Sequence, residues 1–298
     1  MSKLIECIPN FSEGRDTERI EELVAVSKSI PGVTLLDHSS DVNHNRSVFT
    51  LLGDPAGISE AAFQLCKRAS ELIDMTKHIG EHPRMGATDV IPFVPVSEVS
   101  MEECVDISRQ VAKRIWDELG IPSFLYECSA STDGRRDLAA IRKGQFEGMP
   151  DKLLLDEWTP DFGERKIHPT AGITAIGARH PLVAYNVNLD TPDLEIANAI
   201  AKTIRGSSGG FKYCKAIGIK LEDRNIAQVS TNMVNYEETT LFQVFEAIKA
   251  EAERRGVGVL GSEIVGLVPA KALIDCAEFY LQIEDFDYDR KVLENYLI

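Results

Sequence analysis

CKAIGIKL-EDR-NIAQVSTNM, residues 214–233, is the stretch whose reading decides the fold. Two runs rich in Ile, Val and Ala flank the polar turn Glu222-Asp223-Arg224. That is the mark of two antiparallel strands joined by a short loop. Upstream lie a strand, Leu182–Leu189, and a helix, Pro192–Ile204, with proline at its start. Downstream, Thr240–Arg255 places Leu241, Val244, Phe245, Ile248 and Ala252 on one helical face, and Val257–Leu267 follows as a strand. The order is β-α-β-β-α-β, the split βαβ or ferredoxin-like pattern.

The first hundred residues repeat this order. Leu4–Pro9 is a short strand, and Arg15–Ile30 is a helix with Ile20, Leu23, Val24 and Val26 inward, stopped by Pro31-Gly32. Val33–Asp37 and Arg46–Leu52 read as strands. Asp54 and Pro55 open a helix carrying Ile58, Ala61, Leu65, Ala69 and Leu72 on one face. Val90–Val96 closes the set, and its Pro92 and Pro95 suit an edge or bulged strand better than a central one. We therefore expect an α/β (α+β) fold of two ferredoxin-like βαββαβ subdomains, residues 1–180 and 181–298. Between them, Ser100–Leu119 is a helix with a Ser100/Glu103 capping box and an inner stripe of Cys104, Ile107, Val111, Ile115 and Leu119. Ile121–Tyr126 is a further strand. Ser129–Arg179 is weakly periodic, with short helices expected at Asp137–Lys143 and Lys152–Glu157.

Composition bounds the function. The chain has 298 residues, 44% hydrophobic and 27% charged, enough for two cores. No apolar run approaches the roughly 18 residues that span a bilayer, and residues 1–7 lack the basic-then-apolar start of a secretory signal. A cytoplasmic protein without a membrane partner is expected. Six cysteines form no CxxC pair and read as buried free thiols. The net charge of −15 argues against nucleic acid, which needs cations for its phosphates. The acidic run Asp275–Asp289 reads as a solvated face. There is no Gly-x-Ser-x-Gly elbow and no Gly-x-x-x-x-Gly-Lys-Ser/Thr loop, which removes support from hydrolases and NTPases. Arg205–Gly210 does not open a helix after a strand, so it reads as a flexible loop.

Three polar clusters could carry chemistry. The first is Glu81-His82-Pro83-Arg84-Met85-Gly86, between a helix and a strand. Glu81 and Asp89 could orient an imidazole there, and Arg84 could hold an anion. His78 and His82 are four apart, but Gly80 lies between them and Pro83 biases His82 toward extended geometry, so they do not stack as helical metal ligands. No metal is expected. The second cluster, Asp37–Arg46, reads as the turn between strands two and three. The third runs from Phe162 to Gly172, with three potential cations (Arg165, Lys166 and His168) bracketed by glycines. It suits a backbone-rich grip on a flat, anionic ligand.

These residues resemble the glutamate formiminotransferases. The likeness is carried by residues 6–14 (ECIPNFSEG), 80–87 (GEHPRMGA) and 160–163 (PDFG), and further by 177–179, 186–189, 227–232 and 267–269, over essentially the whole chain. It covers the transferase part only, with no room for the cyclodeaminase domain of the larger members. The resemblance implies transfer of a formimino group from N-formimino-L-glutamate to N5 of tetrahydrofolate, a step of histidine breakdown. It implies subdomain sheets packed around a central substrate tunnel, a homodimer, small-molecule substrates, and tetrahydrofolate as co-substrate. The family's catalytic histidine falls on His82. Its folate-binding stretch falls on Gly163, Glu164, Arg165, Lys166, Ile167, His168, Pro169, Thr170, Ala171 and Gly172. A carboxylate that some members carry two residues after Asp37 is Ser39 here; Asp41 or Asp37 could substitute, and the acid that orients His82 is left unassigned. The alternatives are formyl transfer between 5-formyltetrahydrofolate and glutamate at the same site, and a folate-binding module without chemistry.

Overall fold

The computed structural model describes Ser2–Tyr296. The chain divides into two compact units, the first ending at Arg179 and the second starting at His180.

In the first unit, β1 (Leu4–Cys7) and β2 (Asn10–Phe11) are two pieces of one strand broken at Ile8-Pro9. Then come α1 (Thr17–Ser29), β3 (Val33–Asp41), β4 (Arg46–Gly53), α2 (Pro55–Leu72) and β5 (Thr88–Ser97). Both pieces of the broken strand pair antiparallel with β4 on one side and β5 on the other, and β3 lies outside β4. This is the ferredoxin-like arrangement that the alternating pattern implied. β4 shows that pattern directly, burying every second residue from Ser47 to Gly53. Asp54 accepts from the N–H groups of Ala56 and Gly57 to start α2, and a complete capping box at Ser100 and Glu103 starts α3 (Met101–Leu119).

The first unit also departs from the expected pattern. β6 (Ser123–Leu125), α4 (Leu138–Arg142), α5 (Gln145–Lys152) and β7 (Thr174–Ala178) follow α3. β7 inserts between β5 and β6, parallel to both, so among the described residues the sheet has seven strands. The segment expected to be irregular therefore holds a fully buried strand. β5 is central rather than an edge, but it is irregular as expected of a bulged strand: its pairing with β1 and β2 shifts register at Val96 and at Asp89. Its Pro92 survives there because the backbone of that residue faces the β1–β2 break, where the Pro92 carbonyl accepts from the Ile8 N–H at 3.2 Å. Pro95 lies beyond Phe93, the last residue paired to β7. The second short helix sits earlier than expected, at residues 145–152. Phe146 and Met149 give it a buried side, and Lys152 at its end donates to the free carbonyls of Ala140 and Ile141 in α4 (2.6 Å each). β3 continues through His38-Ser39-Ser40 to Asp41, which leaves only residues 42–45 as the turn, with Asn45 at φ 49°.

Helices α1–α3 cover one face of the sheet around Phe11, Leu23, Phe49, Leu65, Phe93 and Ile115. The opposite face carries a smaller core of Met85, Val90, Phe124, Ile141, Met149 and Ile173, supplied partly by α4 and α5. Alternation along β5 sends Ile91 and Phe93 into the first core and Val90 into the second.

The second unit comprises β8 (Val183–Leu189), α6 (Leu194–Ile204), β9 (Cys214–Leu221), β10 (Ile226–Met233), α7 (Leu241–Glu253), β11 (Val259–Val265) and α8 (Ala270–Leu281). Its strand order β11-β8-β10-β9 is again ferredoxin-like. α6 starts two residues after Pro192 because the Asp193 side chain caps Glu195 N. Among the described residues all six cysteines are free. Four are buried, and Cys128 and Cys276 are half-buried. No described helix is long and apolar enough to cross a membrane.

Candidate functional site

His82 lies in the irregular connection from α2 to β5, and that connection is pinned on two sides. On one side Gly80 lies against the β3–β4 turn, where a Cβ would stand 2.3 Å from the His44 carbonyl oxygen, and Glu81 N donates to Asn43 O at 3.2 Å. On the other side Ala87 N donates to Ala171 O (2.9 Å) and Ile173 N to Met85 O (3.1 Å). Gly172, at φ +74°, fits there because a Cβ would stand 2.2 Å from the Met85 oxygen. The terminal part of the 163–172 stretch is thus packed on the His82 connection.

Arg84 does not hold an anion. Its five N–H donors are all engaged. Nε donates to His78 Nδ1 (3.0 Å), and Nη1 donates to Gln145 and Glu147 (2.9 Å each). Nη2 donates to the His78 carbonyl (3.1 Å) and to Glu147 (2.6 Å). Arg84 therefore fastens the connection to α5. His78 has its own fixed role. Its Nδ1 accepts from Arg84, so Nε2 carries the proton and donates to Asn45 O at 3.0 Å. Protonation of Nδ1 would cost the arginine bond, and burial first, then Arg84, keeps the His78 pKa below its ordinary value. The two histidines make separate bonds, and among the described residues no group of three or more His, Cys, Asp or Glu side chains could hold a metal ion.

The partner of His82 is Arg46, the first residue of β4. Arg46 Nη1 bonds His82 Nε2. Arginine has no acceptor, so Nε2 accepts and the proton of the neutral ring sits on Nδ1. Among the described residues that Nδ1 is buried without a partner. The carboxylates expected to orient the ring are elsewhere. Asp41 is tied to His44 (2.9 Å), whose ring lies 6.2 Å from the His82 ring. Asp89, 2% exposed, accepts from Met85 N (2.9 Å) and pairs with Arg142 of α4. Asp37, Ser39 and Glu81 are exposed. Partial burial, then the charges of Arg46 and Arg142, push the His82 pKa down to about 3. The ring is neutral at pH 7 and competent to accept a proton only once that field is relieved. His82, Arg46, Asp89 and His44 line one tight cleft with Ser12, Asn45, His78 and Arg84, too narrow for a water molecule.

Within the third cluster, Glu164, Arg165, Lys166 and Pro169 are exposed. Gly163, Ile167, His168 and Thr170 are half-buried, and Ala171 and Gly172 are buried. Arg165 pairs with Asp156 at 2.7 Å. His168 and Gly172 exchange backbone bonds (2.9 and 3.0 Å), and His168 Nδ1 accepts from Ala171 N at 3.0 Å, which closes a tight turn. In the second unit the strand positions facing away from its core form an amide-rich network. Gln228 Nε2 donates to Asn188 Oδ1 and to Glu263 Oε1 (2.8 Å each), and Asn186 Nδ2 donates to Glu263 at 3.1 Å. Sequence reasoning missed the pairing of Arg46 with His82 and the presence of Arg142. No local signal joins positions 36 apart, and only the β3–β4 turn brings them together.

Comparisons with known proteins agree along the whole chain. The family model of the formiminotransferase domain, N-terminal subdomain, matches residues 4–179, and that of the formiminotransferase domain matches residues 184–293. The chain is 68% identical over 298 residues to a glutamate formimidoyltransferase of Streptococcus pyogenes serotype M1, covering 100% of both. It is 47% identical over 286 residues to one of Thermoplasma acidophilum, covering 95% of this chain and 94% of that one. A formimidoyltransferase-cyclodeaminase of Gallus gallus is 47% identical over 290 residues, which is 95% of this chain and 53% of the relative.

Proposed function

The chain belongs to the formiminotransferase family, and from that premise we propose that it transfers the formimino group of N-formimino-L-glutamate to N5 of tetrahydrofolate, with His82 as the group that moves the proton. It is a one-carbon transferase. The observation that carries the role of His82 is its state in the cleft: a neutral, half-buried imidazole held beside two guanidiniums.

The chemistry asks for little more. Folate N5 adds to the formimino carbon, and its proton passes to Nε2 of His82. The bond from that carbon to the glutamate nitrogen then breaks, and the leaving nitrogen takes the proton back. Proton transfer of this kind contributes about 10²–10⁴-fold. Holding two substrates in line contributes more, roughly 7–11 kcal/mol. The loop 163–172 supports a folate grip: its exposed Arg165 and Lys166 suit an acidic tail, and its buried end is anchored on the His82 connection. We further propose that the enzyme works in the cytoplasm as a homodimer, in histidine breakdown.

The deciding measurement is formimino transfer to tetrahydrofolate, followed spectrophotometrically, in wild type and His82→Gln. A 10²–10⁴-fold loss of kcat with folate binding intact is expected. Turnover near wild type in the variant would remove His82 from the mechanism. Faster transfer from 5-formyltetrahydrofolate to glutamate than from formiminoglutamate to folate would reassign the donor.

A further inference from the structure

Three buried donors are unmet among the described residues: Arg46 Nε and His82 Nδ1, whose residues line the cleft, and Nε of Arg142, whose guanidinium pairs with the cleft residue Asp89. All three carry hydrogen, because both guanidiniums are charged and His82 Nε2 is occupied by Arg46. Buried donors rarely go unpaired in native proteins. Two in the cleft and one on the guanidinium that pairs with its Asp89, with no acceptor among them, define the complement of an anionic oxygen group.

The charges agree. Four groups act on His82 through their charge: Arg46 from β4, Arg142 from α4, His44 from the β3–β4 turn, and His78 from its own connection, and each opposes protonation of the ring. The two carboxylates that act on Arg46 are Asp89 of β5 and Asp41 of β3. Asp89 is committed to Arg142 and Met85 N, and Asp41 is committed to His44. Arg46 thus has no carboxylate of its own, and its hydrogen bond goes to a neutral ring instead. That bond blocks the lone pair a base needs.

We propose that Arg46 and Arg142 receive a carboxylate of the amino-acid donor, and that its arrival takes Arg46 off Nε2 of His82, so the ring becomes a free base only when the donor is in place. The inference rests on the reading of His82 as the proton carrier. It makes Arg46 a positioning residue that acts through His82, and it gives the narrow cleft a function: the space opens by exchanging one guanidinium partner for another. The carboxylate fits an α-amino dicarboxylate, and the glutamate tail of folate offers the same chemistry from the other substrate.

The full-length protein, labelled with ¹⁵N at histidine, separates these cases. The His82 ring signals are assigned by their loss in His82→Gln. In the free protein Nδ1 is expected as the protonated nitrogen, with Nε2 accepting. Saturating L-glutamate should raise the protonation midpoint of His82 by at least about one pH unit, and folic acid alone should not. Arg46→Gln should raise the midpoint of the free protein, abolish the glutamate-dependent rise, and increase KM for the donor about tenfold with KM for folate unchanged. Arg46→Lys keeps the charge and should fall between the two, which also covers a Gln variant that folds poorly. A midpoint indifferent to glutamate and to both substitutions overturns the inference. A rise with folic acid, together with a changed KM for folate alone, overturns it in favour of the folate tail. If His82→Gln keeps its turnover, the underlying reading of His82 fails instead.

Discussion

Replacing Asp89 should damage the first unit more than any nearby exposed change, and in two separable steps. Asp89 is 2% exposed and answers both the Arg142 guanidinium and the Met85 N–H. Asp89→Asn keeps an oxygen for Met85 but leaves Arg142 and the neighbouring Arg46 without a buried negative charge. Removing one partner of a buried ion pair costs about 3–5 kcal/mol. Because the arginine side chain retains 16% exposure, the lower end, roughly 3 kcal/mol, is expected. Asp89→Ala strands the Met85 N–H as well, adding about 1–3 kcal/mol. Urea unfolding followed by tryptophan fluorescence reads the right unit, because Trp116 and Trp158 both lie before residue 180. The midpoint should fall in the order wild type, Asn, Ala, at an unchanged slope. A loss below about 1 kcal/mol for Asn, or equal losses for Asn and Ala, would refute the assignment of two distinct jobs to one carboxylate.

Two further outcomes follow from the same geometry. His82 has a folded pKa of about 3, well below the value near 6.5 expected when unfolded. The unfolded chain therefore binds that proton more readily. Stability is full above about pH 6.5 and declines as pH falls toward 3. His82→Gln removes this share, so its stability should fall less steeply between pH 6.5 and 4, and parallel curves for the two proteins would count against the depressed pKa. Gly172→Ala adds a left-handed penalty of about 1–2 kcal/mol and an overlap with the Met85 oxygen. Gly209→Ala has φ +91° and open space, so it incurs only the first cost. Thermal midpoints of the two variants should differ clearly, with Gly172→Ala the lower.

Local signals fixed most of the frame. Helix caps at Asp54 and Ser100 and the alternation in β4 are properties of a few adjacent residues, and they held. β7 escaped because Thr174-Ala175-Ile176-Gly177-Ala178 is buried on both faces, and such a strand has no polar alternation to reveal it. The register shifts in β5 match the bulged reading of its prolines, and Pro92 misled only about the edge, for a related reason. Its missing N–H is harmless only because another strand breaks at Ile8-Pro9, a fact that no window around residue 92 contains. At the site the connection bearing His82 was legible from its residue types. The partner of the ring was not, because Arg46 reaches it through the β3–β4 turn. Arg84 looked like the anion binder, and only its contacts with His78, Gln145 and Glu147 show that it is already occupied.

The insertion of β7 between β5 and β6 has a consequence for how the chain is made. β5 is complete at Ser97 and β6 at Leu125, but the strand that joins them does not begin until Thr174. At typical synthesis rates of about 5–20 residues per second, roughly 4–15 s separate the emergence of β5 from that of β7. Through that interval the outer edge of β5 is open and β6 has no strand beside it. Ala171 and Ile173, which fix the His82 connection from one side, also arrive at the end of the wait. The nascent first half thus spends seconds with an exposed, apolar sheet edge, a state prone to pairing with other chains. Expression yield is therefore expected to respond to substitutions at 174–178 more sharply than the stability of the finished protein does.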